Sequence, residues 1–332
     1  MFEGFAEVWT PVALSEDVRQ EPLGLKLAGT GIVVFRGANG KVGALVDRCP
    51  HRGVALSLGR VEDGCLVCPF HGWRFDTSGR VARVPWNPDA KTAHLRGVEL
   101  PVREEGGLVW VFTSPRARPA SGPRPAPFLG RPELRISGFS VDIKTHWTRV
   151  MENMLDWPHL PFVHGSSIGR GMRGKADARM EISMEERETG FSSSISIDGQ
   201  PQPGTLEFRW PNQMVLTIFD GPRTLIMQNV CVPIDAENTR LLVVTARSFL
   251  KLAALDWLFE RSNRRIVGED RAIIESSSPA AMPRANEELS VRTDAPTLAF
   301  RKRYFAELHA SSTAVEPSPP VPLRLAAKAA PA

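Results

Sequence analysis

Two short cysteine–histidine pairs, Cys49-Pro-His51 and Cys68-Pro-Phe-His71, stand close together in the chain. Each pair brings one thiolate and one imidazole to the tip of a short loop. Two such loops side by side supply two sulfurs and two nitrogens. On a [2Fe–2S] cluster, one iron then takes both thiolates and the other both imidazoles. Replacing two anionic thiolates by neutral imidazoles lowers the negative charge of the cluster, and its reduction potential rises to roughly −150 to +300 mV. A structural zinc ion uses the same donor set, but its pairs usually keep about two to four residues between cysteines and about three to five between histidines. Here each pair mixes the two types, one as tightly as Cys-x-His, and the cluster is the better fit. Cys65 and Cys231 lie in apolar runs without a partner histidine and read as core thiols.

A second group sits downstream, where Glu152-Asn-Met-Leu-Asp-Trp-Pro-His-Leu-Pro-Phe-Val-His164 gathers Asp156, His159 and His164. On an uninterrupted helix the two imidazoles would point about 140° apart. Pro158 and Pro161 change this, because each removes an N–H and clashes with the carbonyl four residues back. The helix that begins near His146 is expected to end around Asp156, and the turn beyond it can fold both imidazoles inward. Two imidazoles and one carboxylate make the facial triad of non-haem iron(II) oxygenases, which leaves positions open for dioxygen and substrate. Two hydrogen-bonded core histidines are the plainer alternative. Asp270 is the best third ligand, since Ile266, Val267, Ile273 and Ile274 flank it at helical spacing and place it on an apolar stripe. A carboxylate there is costly unless it is paired or bound to a cation; a buried salt bridge to an arginine is the competing reading. Glu269, four residues after Arg265, reads as a surface ion pair.

The elements that must hold these groups fall into two units. Residues 1–115 carry strand and turn signals, including a hairpin from Gly31–Arg36 and Lys41–Val46 closed through Gly-Ala-Asn-Gly, and no strong amphipathic helix. A small all-β domain is expected. Residues 116–128 are proline-rich and read as a linker. Residues 129–310 mix strands, among them 136–143, 191–197, 214–219, 225–232 and 241–246, with helical periodicity before Asp156 and again over 255–274. The expected outcome is an α+β domain with helices packed on an antiparallel sheet. Residues 311–332 read as a disordered tail.

At the first site the sequence resembles the Rieske iron–sulfur domain of the Rieske non-haem iron oxygenases, on Cys49-Pro-His-Arg-Gly53 and Cys68-Pro-Phe-His-Gly-Trp73. At the second, Asn153, Asp156, His159 and His164 match that family's Asn-x2-Asp-x2-His-x4-His pattern, and Glu269-Asp270 resembles its late Glu-Asp pair. The resemblance implies an N-terminal all-β [2Fe–2S] domain before a helix-grip-like α+β catalytic domain. It implies iron held by His159, His164 and Asp270, and Asp156 bridging His159 to His71 of a neighbouring copy in a homotrimer. It also implies a flavin- or ferredoxin-type reductase that passes on electrons from NAD(P)H. Domain order and length resemble the monooxygenase and demethylase branch, typified by vanillate O-demethylase and pheophorbide a oxygenase, acting on a small aromatic or heterocyclic compound. A desaturase, cyclase or hydroxylase would use the same residues, and a Rieske electron carrier without oxygenase activity is the reading from another class.

Composition narrows the setting. With 42% apolar and 23% charged residues the 332-residue chain reads as a globular protein, and no apolar run is long enough to span a bilayer. Four cysteines cannot form a disulfide scaffold, which together with the missing secretory signal favours the cytoplasm. A net charge of +4, spread along the chain, does not point to nucleic acid. Arg170, Arg173, Lys175 and Arg179 can hold an acidic substrate or belong to a solvated loop. Arg261, Arg264, Arg265 and the run Arg301-Lys-Arg303 can dock an acidic electron donor or form an ordinary solvated face. Asn229, on an apolar strand, can offer a pocket hydrogen bond or be a satisfied core amide. His94, His146 and His309 have no ligand-like cysteine or histidine spacing around them in the sequence and read as structural.

Overall fold

The structure, a computed structural model, describes residues 1–284 and 286–309; the tail over 311–332 lies outside them. Residues 1–146, all of them described, contain strands and single helical turns but no α-helix. A run rich in β-branched residues and glycine turns cannot sustain the 3.6-residue apolar stripe that a helix needs. Three antiparallel sheets result: Leu23–Leu27 with Thr30–Arg36 and Val42–Val46; Arg60–Glu62, Cys65–Val67, Arg74–Phe75 and Val81–Arg83; and Trp9–Leu14 with Leu108–Phe112 and Val102–Glu105. The first two sheets enclose a small core of Val33, Phe35, Leu45, Leu56, Leu66 and Phe75, and Cys49 and Cys68 are themselves part of it.

The third sheet, together with Leu27, Ile32, Val34 and Ala44 of the first, belongs to a different core. Its residues Val12, Leu14 and Trp110 share one apolar core with Trp147, Phe208 and Phe300 of the second half. Phe5 meets the Trp147 ring edge-on at 5.3 Å, and the Asn212 amide donates to Thr10 Oγ1 at 3.0 Å. The two halves are welded by packing rather than joined only by a linker.

The second half is an antiparallel sheet ordered Arg135–Ile143, Thr239–Arg247, Thr224–Pro233, Gln213–Asp220, Thr205–Arg209, Gly190–Ile197 and Met180–Arg187, with Gln200–Pro201 pairing on the side. The central strands Thr224–Pro233 and Thr239–Arg247 are buried along almost their whole length, so the sheet is covered on both faces there. Helices α1 (Trp147–Leu155), α2 (Leu160–Val163), α3 (Asp256–Ile274) and α4 (Ala295–Tyr304) complete it. This is the α+β arrangement expected from the sequence. Helix α4 was not anticipated, because it has almost no amphipathic pattern and opens on Ala295-Pro296, proline being tolerated in the first turn.

A buried ionic network holds α1 against α4. Arg149 pairs with Glu152 and Glu288, and Arg301 of α4 pairs with the same two carboxylates. This corrects one expectation: Arg301 is buried in the protein and is not part of an electron-donor docking face. Arg264 stacks on Phe139 at 4.2 Å and pairs with Glu260 at 2.8 Å, and Arg265 pairs with Glu269, so that cluster is largely committed within the chain as well.

Candidate active site with two metal-binding groups

The two loops of the amino-terminal half are built alike. In the first, the Cys49 N–H donates to the Val54 carbonyl at 2.8 Å and the Gly53 N–H returns to the Cys49 carbonyl at 2.8 Å. In the second, the Cys68 N–H donates to Trp73 at 2.9 Å and the Gly72 N–H to Cys68 at 3.0 Å. Both closures need a left-handed residue at the fourth position after the start, and Gly53 (φ +74°) and Gly72 (φ +66°) supply it without a Cβ penalty. The tips meet: the His51 and His71 rings are 4.7 Å apart, and Trp73 stacks flat on His51 at 4.8 Å.

The chemistry of this tip fits the cluster. Burial is the main force on Cys49, pushing its thiol up to about 11, while the backbone N–H groups of His51 and Arg52 bond the sulfur and oppose that rise. Such N–H groups stabilise an anionic sulfur once a metal supplies positive charge. Burial, and then the neighbouring His71 and Arg52, lower the pKa of His51, so its ring is neutral and able to ligate. Its Nδ1 is buried without a hydrogen-bond partner. Cys65 is half-buried and Cys231 fully buried, both apart from the site.

The second group is assembled from two helix ends. Helix α1 buries Val150, Met151, Met154 and Leu155 and stops at Leu155, with Asp156 as its C-cap. Trp157 is buried and donates through Nε1 to Ser193 Oγ at 3.1 Å, anchoring the link. Helix α2 is a single turn with His159 at its start and His164 at its end. The break set by the prolines thus brings together two imidazoles that a continuous helix would separate, with ring centroids 5.2 Å apart. Helix α3 delivers the third group. Asp256 at its start pairs with Arg135 and Arg247, and Asn263 in its middle donates to Thr245 Oγ1 at 2.8 Å. Asp270, 4% exposed, then faces both histidines.

One oxygen decides what this arrangement can do. Asp270 Oδ1 lies 3.0 Å from His164 Nε2 and 3.7 Å from His159 Nε2, yet no hydrogen bond satisfies it. One donor atom from each of the three residues falls within 4.8 Å of the others. Buried lone pairs gathered around one point, without mutual hydrogen bonds, are what a cation would satisfy. No arginine salt bridge reaches Asp270 among the described residues, so the competing reading fails. Burial disfavours charge on His164, but Asp270 and Glu269 outweigh it and raise its pKa, a sign that the site attracts positive charge.

Glu269 was expected as a surface ion pair. It keeps that pair with Arg265 at 3.2 Å, but its other oxygen accepts from His164 Nδ1 at 2.9 Å and from Ser167 Oγ at 2.7 Å. Holding the proton on Nδ1 turns the Nε2 lone pair toward Asp270. The signal for this role lay in its place beside Asp270, not in the spacing to Arg265. Asp156 Oδ2 stands 3.7 Å from His159 Nδ1, itself buried and without a hydrogen bond.

The sequence of a Rieske [2Fe–2S] domain matches residues 8–96, and that of the vanillate O-demethylase oxygenase C-terminal domain matches residues 143–310. The chain belongs to the Rieske oxygenases. It is 27% identical to chlorophyllide a oxygenase of Chlamydomonas reinhardtii over 288 residues, covering 82% of this chain and 43% of that protein. It is 33% identical to the phthalate 4,5-dioxygenase oxygenase subunit of Pseudomonas putida over 258 residues, covering 70% and 57%. The chain thus spans about half the length of these curated relatives. The solved structure of NdmA from Pseudomonas putida CBB5 superposes with a TM-score of 0.77 at 24% identity, over 92% of each chain, and shows the same fold. The cofactors of a Rieske oxygenase are a [2Fe–2S] cluster and a mononuclear iron, and the two donor groups described above fit them.

A cavity of about 450 Å³ opens onto His159, His164 and Asp270. Asn153 lines it from the end of α1, with Nδ2 lacking a hydrogen bond, and Asn229 lines it from the strand Thr224–Pro233. Arg170, Arg173, Lys175 and Arg179 do not line it; from their stretch only Ile168, Gly171 and Met172 do, so this loop contributes apolar wall rather than charge. A larger groove of about 950 Å³, between the β half and residues 116–122, contains none of the metal-binding donors.

Proposed function

We propose that the chain is the terminal oxygenase component of a Rieske monooxygenase that hydroxylates or oxidatively demethylates a small aromatic or heterocyclic substrate. In this reading Cys49, His51, Cys68 and His71 hold the cluster, and His159, His164 and Asp270 hold the iron. The unbonded Asp270 oxygen between two imidazoles, in the same chain as the paired Cys–His loops, carries it. It also disfavours the electron-carrier reading, because a domain that only docks a partner has no use for a second buried donor set. When bound, the iron supplies reductive activation of O2 with electrons drawn through the cluster.

The residues of this chain then have separate tasks. Glu269 fixes the His164 tautomer and orients its ring. Asp156 stands at His159 Nδ1, where its carboxylate accepts or relays a proton, and it faces His71 of a neighbouring copy in a homotrimer. Asn153, at the cavity wall beside it, keeps a free amide toward the site. The apolar cavity holds the substrate and excludes water, which favours attack on a C–H bond over loss of the oxidant. We place the protein in the cytoplasm beside a flavin- or ferredoxin-type reductase; no helix of the described residues is long and apolar enough to cross a membrane. Phthalate dioxygenase and chlorophyllide oxygenase, by their names, and NdmA, solved with caffeine, span carbocyclic and heterocyclic rings, which supports the breadth of the assignment.

The test combines metal content with turnover. Anaerobically prepared protein should contain about three irons per chain, two in a cluster and one alone, and with a generic reductase it should consume oxygen in the presence of a fitting compound. Formaldehyde release separates demethylation from hydroxylation. Two irons per chain and no substrate-dependent oxygen uptake would restore the carrier reading.

A further inference from the structure

We propose that the cavity takes an uncharged, largely apolar substrate, oriented by the amide of Asn229; this rests on the oxygenase reading above and names the substrate class for the same site. Apart from the iron-site residues and Asn153 and Asp156 next to them, the polar side chains lining the cavity are Gln202, Asn229 and Asn263, three neutral amides. No lysine or arginine lines it among the described residues. Asn263 is committed to Thr245, and Gln202 donates to the Gln200 carbonyl in an exposed turn.

Asn229 is in a different state. It is more than nine-tenths buried, its Nδ2 lies 3.1 Å from Met154 Sδ, and its Oδ1 has no hydrogen-bond partner. A thioether sulfur is only a weak acceptor, so both ends of this amide are poorly satisfied. A buried amide left unpaired is costly, and a polar group on the substrate is what would complete it. Apart from Trp157, the rest of the wall is aliphatic or thioether, with Met154, Met214 and Met227 prominent. Methionines adapt their shape, so this wall is tolerant of outline. It is not tolerant of charge. A carboxylate entering here would give up its hydration, meet Asp156 and find no lysine or arginine to pair with, the iron's charge being partly offset by Asp270. An ammonium would find no carboxylate other than Asp156 and Asp270, both at the iron end of the cavity.

Equilibrium dialysis of the iron-loaded protein, without reductase, tests this with matched probes. The set is 6-methoxy-2-naphthoic acid, its primary amide and 2-methoxynaphthalene, with a smaller set built on 4-methoxybenzoic acid. Near neutral pH each amide should bind at least about tenfold more tightly than its acid. Asn229→Leu should weaken the amide by about tenfold and leave the unsubstituted ether within about twofold. Asn229→Arg should reverse the order in favour of the acid. An acid that binds as tightly as its own amide overturns the proposal. So do equal losses for amide and ether in Asn229→Leu, or no binding by any uncharged probe. Dialysis needs no turnover: a protein that sorts the probes as expected yet never consumes oxygen refutes the oxygenase reading alone, whereas one that oxidises the acids refutes only this inference.

Discussion

The two candidate metal-binding regions gather their donors by opposite means, two thiols and two imidazoles in one, two imidazoles and a carboxylate in the other. The cluster loops are local: Cys49 to His71 is one short stretch, each loop closes on itself through the same two backbone bonds, and glycine supplies the turn. The proposed iron site is assembled from afar. Two of its donors flank a single helical turn, while Asp270 and Glu269 arrive on α3 more than a hundred residues later. A local site depends on its own loops, whereas a dispersed site depends on everything that docks α1 and α3.

The sharpest way to break this comparison is to remove one donor from each region. Cys68→Ser should abolish the cluster spectrum altogether, while His159→Ala should remove only the mononuclear iron and all substrate oxidation, leaving the cluster intact by absorption and spin resonance. Bleaching of the cluster in His159→Ala would contradict the independence of the two sites. A subtler pair of variants follows. Asp156→Asn should retain both metals yet lose most turnover, and Glu269→Gln should lower iron affinity or activity by about 10- to 100-fold, as losses of a ligand's orienting partner do. Iron titration of Glu269→Gln at the affinity of the parent would remove Glu269 from the site.

The dependence of the dispersed site on docking is tested through Arg301. Replacing it with alanine leaves the buried Glu152 and the half-buried Glu288 with one cation fewer, and urea unfolding should register a loss of about 3 kcal/mol. The iron site should loosen before the cluster does, which parallel denaturation followed at both metals would reveal. The smallest effect concerns His146, the N-cap of α1, whose Nδ1 sits 2.7 Å from Thr148 Oγ1. Burial lowers its pKa from 6.5 to about 4. Between those values the unfolded chain binds a proton that the folded chain refuses, so stability falls as pH drops from 6.5 toward 4. The integrated loss is at most about 3 kcal/mol. His146→Asn keeps a capping side chain and should flatten the stability profile across that window; an unchanged slope would assign the loss elsewhere.

Legibility from sequence followed the same divide. The cluster donors could be read from spacing because their geometry is fixed within each loop. The end of α1 was equally readable, since two prolines forbid its continuation. Asp270 was found by its place on an apolar stripe, which carries weight only because a lone carboxylate there demands a partner. Glu269 was misjudged because its spacing to Arg265 is satisfied at the same time as its contact with His164; one side chain serves both, and spacing shows only the nearer. Arg301 and α4 escaped for a related reason. A basic run looks solvated unless the acids it meets are known, and Glu152 and Glu288 lie on other elements. The edge strand Met180–Arg187, largely exposed and acidic, gives little apolar alternation to detect.

The core that unites the sheet of Trp9–Leu14, Leu108–Phe112 and Val102–Glu105 with Trp147 and Phe300 bears on how such proteins can be recombined. A cluster-bearing half cut free near residue 115 would carry a raw face containing Val12, Leu14 and Trp110, and one grafted from a relative would have to present matching contours to Phe208 and Phe300. Exchange of halves between family members is therefore limited by a steric seam as well as by redox chemistry.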